Sequence, residues 1–467
     1  MATIHFIGIC GTAMATLAAM LKARGHDVQG SDHGMYPPMS DFLAREQIRV
    51  FDRYDDAHIT PDIDLVIVGN AISRGNVELE AVLDRKIRYK SLPEAIREEF
   101  LWQSRSIVLA GTHGKTTTTA LTGWLLTDAG RDPSVLVGGI AVNFQSSYRL
   151  GSGRDFVIEG DEYDSAFFDK TAKFLKYLPD IAVLGNLEYD HADIYPDMEA
   201  LRTAFRRFLG LVPRSGRVII GADSPEAMAL AQASRAPVET FGIDDPDAFW
   251  RATNIAGRNG RTTFDVWRDG EAFGSFATRL HGRHNVRNAL AAIAAASAAG
   301  LTAGELQRAL ERFEGVRRRL ELRGVAREVS VYDDFAHHPT AILETLRAVR
   351  ASYPDRRIWA VFEPRSATSC RRVFQRDFAR AFTAAGADEV IIAAVFRTSL
   401  PDDERLDVEL LVRDVNAGGV RARTLPGTTR IIETITREAA PGDVVVIMSN
   451  GGFDNIHQRL LEALGGR

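Results

Sequence analysis

The chain has 467 residues, 45% of them hydrophobic and 25% charged, with a formal net charge of −5. At roughly 100–200 residues per domain this length predicts several domains, and interspersed charges of both signs exclude the electrostatic footprint of a nucleic-acid binder. No apolar run of about 18 residues is available to cross a membrane, and two distant cysteines, Cys10 and Cys370, exclude a disulfide framework or a cysteine zinc site.

The opening residues enter a strand at once, without the charged and apolar regions of a signal peptide, so a cytoplasmic location is expected. A strand over residues 4–7 is followed by a glycine turn and a helix running to Arg24, where Gly25 stops it. Another strand is expected over 65–68. A charged stretch at 97–99 leads to a first domain boundary after Ser104. The next unit begins with a strand at 107–110, a turn at 111–116 and a helix at 117–129 closed by Gly130. Strands at 156–158, 181–184 and 217–220 follow, then an Ala-rich helix at 288–299. The pattern breaks near 318–324, and a third unit carries strands at 329–332, 358–362, 389–393 and 444–448. This alternation is the α/β signature. It divides the chain into 1–104, 105–322 and 323–467, with flexing points near Ser104 and Gly324. The fold class is α/β in three domains: Rossmann-like, P-loop ATPase-like and again Rossmann-like.

Seven of the 57 Lys and Arg residues are lysines, and none lies beyond Lys176. Lysine-dependent chemistry is therefore confined to the first 176 residues. Among these, Lys115 stands in Gly111-Thr112-His113-Gly114-Lys115-Thr116, between a strand and a helix. Glycines let the backbone wrap an anion, and the helix N-terminus offers unpaired N–H groups. A lysine there neutralises β/γ-phosphates and a hydroxyl reaches Mg²⁺. The long form of this loop has a glycine where Leu109 stands, so this is a shortened variant.

Gly8-Ile9-Cys10-Gly11-Thr12-Ala13 is a second glycine turn between strand and helix, and Asp32 lies 21 residues after Gly11. That spacing suits an acid on a ribose. It fits a nicotinamide-dependent oxidoreductase, a pyrophosphate-bearing sugar nucleotide, or a tight turn with no ligand.

Two acidic clusters follow separate strands of the central unit. One is Glu159-Gly160-Asp161-Glu162-Tyr163-Asp164; the other is Asn186-Leu187-Glu188-Tyr189-Asp190-His191-Ala192-Asp193. Unrelieved, such carboxylates repel one another, so a metal or a polar network is expected there. Both fall at the ligand-binding edge of an open sheet. The third unit carries Asp333-Asp334-Phe335-Ala336-His337-His338-Pro339, Glu363-Pro364-Arg365-Ser366 and Ser449-Asn450-Gly451-Gly452. Arg365 suits a bidentate carboxylate clamp.

Together with Gly282-Arg283-His284-Asn285-Val286-Arg287-Asn288 and Arg317-Arg318-Arg319-Leu320-Glu321, these segments resemble the Mur ligases, ATP-dependent amide-forming enzymes of peptidoglycan synthesis. The resemblance covers essentially the whole chain. Within the family, the segments Gly8–Thr12, Tyr36-Pro37-Pro38-Met39-Ser40, Gly69-Asn70-Ala71-Ile72-Ser73-Arg74 and Ala166-Phe167-Phe168-Asp169-Lys170 resemble members acting on UDP-N-acetylmuramate in peptidoglycan recycling. So do the runs at Glu363 and Ser449. Those members add the intact tripeptide L-alanyl-γ-D-glutamyl-meso-diaminopimelate; the alternative within the family adds L-alanine.

The resemblance implies ATP and Mg²⁺, and an acyl phosphate on the sugar's lactyl carboxylate that the peptide amine attacks. The catalytic residues it implies are Lys115, Glu159 and His191, with Thr116, Glu159 and His191 as metal ligands. ATP is expected on Gly111, Thr112, His113, Gly114, Lys115, Thr116, Thr117, Asn285, Asn288, Arg319 and Asp334. The UDP-sugar is expected on Gly8, Cys10, Gly11, Thr12, Asp32, Asn70 and Arg74. The peptide is expected on His337, His338, Arg365, Ser366 and Asn450. Some family members add a carbamylated lysine, placed after the metal histidine, as a metal ligand. No lysine follows His191 here, so a water or an ordinary side chain is expected in its place. The oxidoreductase reading leaves the phosphate loop and both acidic clusters unexplained, and a nonenzymatic nucleotide switch has no use for the acyl-activating residues.

Overall fold

The computed structural model describes residues 1–35, 39–192, 194–258, 260–396 and 400–466. Residues 36–38 of the first-domain motif and Asp193 of the second acidic cluster lie outside that set. Three main sheets organise the described chain.

The first has five parallel strands in the order Arg49–Phe51, Asp27–Ser31, Thr3–Ile7, Leu65–Val68, Tyr89–Ser91. Its strand order reverses beside Thr3–Ile7, and the crevice at such a switch point is where open α/β sheets bind ligands. The helix Thr12–Ala23 starts there, and Leu17, Ala18 and Leu21 bury its inner face.

The central sheet has ten strands. Seven successive strands pair in parallel: Trp250–Arg258, Val238–Gly242, Arg217–Gly221, Ile181–Leu184, Arg105–Ala110, Asp155–Gly160 and Ser134–Ala141. The buried helices Lys115–Asp128 and Arg283–Ala298 share a core with one face of this sheet. The other face continues into the core of the first domain, through residues such as Phe100 and Phe156, whose rings lie 5.9 Å apart. An antiparallel meander, Trp250–Arg258, Arg261–Arg268 and Glu271–Thr278, extends one edge. It lay outside the expected strands. Its signals were a period-two alternation in Phe264, Val266 and Phe276 and the turn pair Asp269-Gly270, both at positive φ.

The third sheet orders its strands Glu321–Ala326, Val329–Asp334, Val444–Met448, Ile358–Phe362, Glu389–Ala393, Arg421–Leu425; all pairings but the first are parallel. Separate cores cover its two faces. The boundary expected after residue 322 falls inside the strand Glu321–Ala326, which hydrogen-bonds along Val329–Asp334. Gly324, expected as a flexing point, is held in that ladder, and a Cβ there would meet Leu461 at 3.0 Å. The chain turns earlier, where Gly315, Arg318 and Leu320 all have positive φ.

Candidate active site

The strand Arg105–Ala110 runs out of the core into the phosphate loop, and the helix Lys115–Asp128 leaves it. Gly111 and Gly114 have φ of +136° and +80°, conformations that L side chains rarely adopt. A Cβ on Gly114 would also collide with the Asn288 amide. Asn186 ties the loop to the neighbouring strand end: its Oδ1 accepts from His113 N–H at 2.8 Å. Glu188 N–H donates to Thr112 Oγ1 at 2.9 Å.

Lys115 Nζ donates to Gly111 O at 2.8 Å and to Glu162 Oε1 at 2.7 Å. Burial alone would depress this ammonium, but Glu162, Asp161 and Glu159 outweigh it and hold it above the ordinary lysine value. Lys173 pairs with Asp161 at 2.6 Å and Lys170 with Asp164 at 2.6 Å. Three of the few lysines thus neutralise the first acidic cluster. The relief expected from a metal or polar network includes these cations.

Glu162 belongs to the first acidic cluster and is not among the expected site residues. Its Oε1 also receives His191 Nε2 at 2.7 Å, and its Oε2 is buried with no partner. Burial lowers the His191 imidazole, yet the hydrogen bond and charge of Glu162 raise it overall. Glu159, placed in the same cavity wall, accepts from Thr116 Oγ1 at 3.0 Å and from Gly138 N–H at 2.7 Å. Burial pushes its carboxyl up, with Lys115 opposing. Thr116, Glu159 and the unpartnered Glu162 oxygen are hard donors, and the set fits Mg²⁺. Thr117 continues the first buried turn of the helix.

The third domain reaches this loop. Arg319 Nη2 donates to Thr116 Oγ1 at 3.0 Å and its guanidinium lies 5.0 Å from the Phe335 ring. Asp334 accepts from Leu320 N–H at 2.6 Å and Ala336 N–H at 2.8 Å, fixing the domain junction. Burial raises its carboxyl, with Arg319 opposing. From the central helix, Asn288 Nδ2 donates to Asn285 Oδ1 at 3.1 Å, and both asparagines line the cavity. His338 caps the helix Pro339–Ser352, and His337 Nδ1 meets Phe335 O at 3.0 Å. Thr368 donates to Asp190, joining the third domain to the second acidic cluster. The Asn186–Asp193 cluster pointed to the strand end but not to this partner.

Lys115, Thr116, Glu159, His191, Asn288, Arg319, Asp334 and His338 face one cavity of about 1570 Å³, whose wall lacks Glu162, Lys170 and Lys173 and to which the first domain contributes Thr12, Met39, Asp41, Phe42 and Arg45. Ser366 and Asn450 line it from the third domain, and Asn450 Oδ1 is buried without a partner. Ser366 is also engaged internally with Ser369, Oγ to Oγ at 2.8 Å. Arg365 stacks 3.7 Å from the Phe396 ring centroid and lies 3.6 Å from Glu363; it is absent from the cavity wall.

The expected UDP-sugar residues gather at the switch point of the first sheet. Gly8 has φ of +86°. Asp32, however, is used within the turn: it accepts from Cys10 N–H at 2.7 Å and from Tyr54 OH at 3.2 Å. Burial and the Asp32 charge push the Cys10 thiol up to about 11, so it is not a ready nucleophile. Gly11 precedes the helix Thr12–Ala23. Asn70 is exposed, and exposed Arg74 forms a two-pronged pair with Glu80, both contacts at 2.9 Å.

The chain matches the Mur ligase family catalytic domain over residues 3–100, the Mur ligase middle domain over 109–296 and the Mur ligase glutamate ligase domain over 318–451. This chain belongs to the Mur ligase family. It is 40% identical to the UDP-N-acetylmuramate–L-alanyl-γ-D-glutamyl-meso-2,6-diaminoheptandioate ligase of Escherichia coli K12, over 99% of this chain and 98% of the relative. It is 32% identical to the UDP-N-acetylmuramate–L-alanine ligase of Acetivibrio thermocellus, over 98% and 95%. Among solved structures, the murein peptide ligase of Psychrobacter arcticus 273-4 aligns with a TM-score of 0.74 at 38% identity, over 100% of this chain and 99% of that one. The UDP-N-acetylmuramate–alanine ligase of Thermotoga maritima aligns with a TM-score of 0.81 at 24% identity, over 99% of each, a likeness of fold alone. Fold therefore does not separate the two specificities, whereas sequence identity leans to the peptide ligases.

Proposed function

We propose that this protein joins L-alanyl-γ-D-glutamyl-meso-diaminopimelate to UDP-N-acetylmuramate at the expense of ATP, as a recycling step of peptidoglycan metabolism. The observation that carries the reading is the single cavity into which all three domains send side chains, with Lys115 at its phosphate loop. The sugar nucleotide occupies the first domain, ATP the central domain and the peptide the third. A free carboxylate is a poor electrophile, so the lactyl carboxylate takes the γ-phosphoryl group of ATP and becomes an acyl phosphate, with ADP as the leaving group. The peptide amine attacks its carbonyl carbon, a proton leaves the nitrogen, and phosphate departs as the amide forms.

The protein's contribution is positioning and charge neutralisation. Lys115 holds the transferring phosphoryl group in place of its present carboxylate partner. Gly111 and Gly114 allow the backbone N–H groups to approach the phosphates. Asn285 and Asn288 contact the adenine, and Arg319 from the domain junction and Asp334 from the third domain complete the nucleotide site. Thr116, Glu159 and His191 would hold Mg²⁺, which would supply charge neutralisation for phosphoryl transfer. Glu162 places an anionic oxygen beside His191, the kind of group that a carbamylated lysine provides in other members. His337, His338, Asn450 and Arg365 orient the peptide.

The choice of acceptor is tested by phosphate release with UDP-N-acetylmuramate, ATP and either the tripeptide or L-alanine. The tripeptide is expected to give the higher kcat/KM. A reversed preference identifies the alanine ligase instead, and tight nicotinamide binding without ligase turnover removes both.

A further inference from the structure

The phosphate loop meets the third domain at a group of side chains to which the ligase reading assigns no metal. His113 Nε2 lies 3.2 Å from Glu188 Oε2, and His338 Nδ1 lies 3.6 Å from the same oxygen. One ligand atom from each of the three residues lies within 4.8 Å of the others. His113 belongs to the phosphate loop, Glu188 follows the strand Ile181–Leu184, and His338 begins the helix Pro339–Ser352. The two rings are 4.7 Å apart between centroids.

We propose that His113, Glu188 and His338 form a binding site for a dication of the zinc class, separate from the Thr116–Glu159 oxygens, that ties the phosphate loop to the third domain. Zinc bonds of about 2.0–2.1 Å to nitrogen and oxygen, arranged tetrahedrally, set donors roughly 3.3–3.5 Å apart. The two distances to Glu188 bracket that edge. Two imidazoles and one carboxylate suit zinc or cobalt, whereas Mg²⁺ wants oxygens and an octahedron. Of the two nitrogens of buried His338, Nε2 has no partner, while Nδ1 caps the helix by accepting a 3.4 Å contact from Thr340 N–H. Burial and neighbouring His113 lower this imidazole below its ordinary value. Burial opposes ionisation of Glu188, but the hydrogen bond and charge of His113, with the Thr340 hydrogen bond, lower its carboxyl overall. Thr340 Oγ1 donates to Glu188 Oε2 at 2.6 Å and so orients the carboxylate from outside the cluster, as outer partners of metal ligands do.

Co²⁺ titrated into the full-length protein, without nucleotide or sugar and in excess Mg²⁺, tests the site. One equivalent is expected to bind with the intense visible absorption of four-coordinate cobalt, and Zn²⁺ is expected to displace it. His338→Asn keeps an oxygen able to cap the helix but removes the ring; His113→Gln removes the other. Each is expected to weaken binding about tenfold or more. Zn²⁺ is expected to raise the Tm of the native chain and not that of H338N. Absence of a one-equivalent site, the weak spectrum of octahedral cobalt, or binding that survives both substitutions overturns the proposal. Loss of binding in His191→Gln with retention in H338N also overturns it, by placing the ion on the phosphoryl-transfer residues. No substrate is present in these measurements, so their failure leaves the ligase reading standing, and failure of the ligase assay leaves the site standing.

Discussion

Lys115 is a compact ammonium held among three carboxylates and two loop carbonyls, a position that arginine's planar fork does not fit. Lys115→Ala is expected to lower kcat by roughly 10²–10³ or more, the scale on which a preorganised charge stabiliser acts. UDP-sugar affinity, measured by calorimetry, is expected to stay unchanged because the first glycine turn lies in another sheet. A parallel collapse of both would contradict that separation. Arg365→Ala is expected to raise the peptide KM with little change in kcat; an unaltered KM would remove Arg365 from peptide binding. A third residue acts on stability. Glu78 is fully buried and is contacted by His5 at 3.2 Å, His58 at 2.8 Å and the Ser31 hydroxyl. Burial would raise its carboxyl, but these hydrogen bonds lower it below its ordinary 4.5. A depressed carboxylate contributes stability above its unfolded value and loses it as pH falls through the folded one. Glu78→Gln is therefore expected to cost about 1–3 kcal/mol at pH 7. Denaturant unfolding should show that difference shrinking below pH 4.5, and a pH-independent difference would count against the ionised form.

At the scale of the element, the phosphate loop depends on backbone that only glycine adopts without strain. Gly114→Ala adds a Cβ at φ of +80° against Asn288, a strain of about 1–3 kcal/mol. The expected outcome is a lower Tm together with weaker ATP binding, since Asn288 is displaced with the loop. The strand–loop–helix order and Gly111-Thr112-His113-Gly114-Lys115-Thr116 made this element legible in the sequence, because glycine and lysine at those spacings have few other uses. The parallel strands at 181–184, 358–362, 389–393 and 444–448 were legible as short apolar runs. The antiparallel meander over Trp250–Thr278 lies outside the expected strands, although its alternation and Asp269-Gly270 turn carry the signal. Within the site, the acidic clusters were visible as composition. Which acid meets which base was not, because Glu162 joins Lys115 and His191 only when three strand ends are brought side by side.

At the scale of the molecule, the first and central domains share one continuous core, while the third is tied to them through polar contacts at the cavity. Arg319–Thr116, Thr368–Asp190 and Thr340–Glu188 are such contacts. The chain crosses between them through the positive-φ turns at Gly315, Arg318 and Leu320. That connector carries Arg317, Arg318 and Arg319, so limited trypsin digestion is expected to cut there first. ATP is expected to slow the cut, because Arg319 and Asp334 face the same cavity as the phosphate loop. Initial cleavage near Gly324, or no protection by nucleotide, would move the flexing point elsewhere.

The sequence by itself determined the α/β class, the family and the phosphate loop, because these rest on short-range chemistry: apolar runs for buried strands, glycines for tight turns, one lysine in a loop. It also restricted lysine chemistry to the first 176 residues. Tertiary structure decided the partners. It turned Asp32 inward onto the Cys10 turn, gave three lysines to the first acidic cluster, and placed His338 beside a carboxylate and a histidine far from it in the chain. It also set the strand Glu321–Ala326 in the third sheet. His338 lies more than a hundred positions from both Glu188 and His113, and only the packing of sheets against one another fixes which charged groups share a cavity.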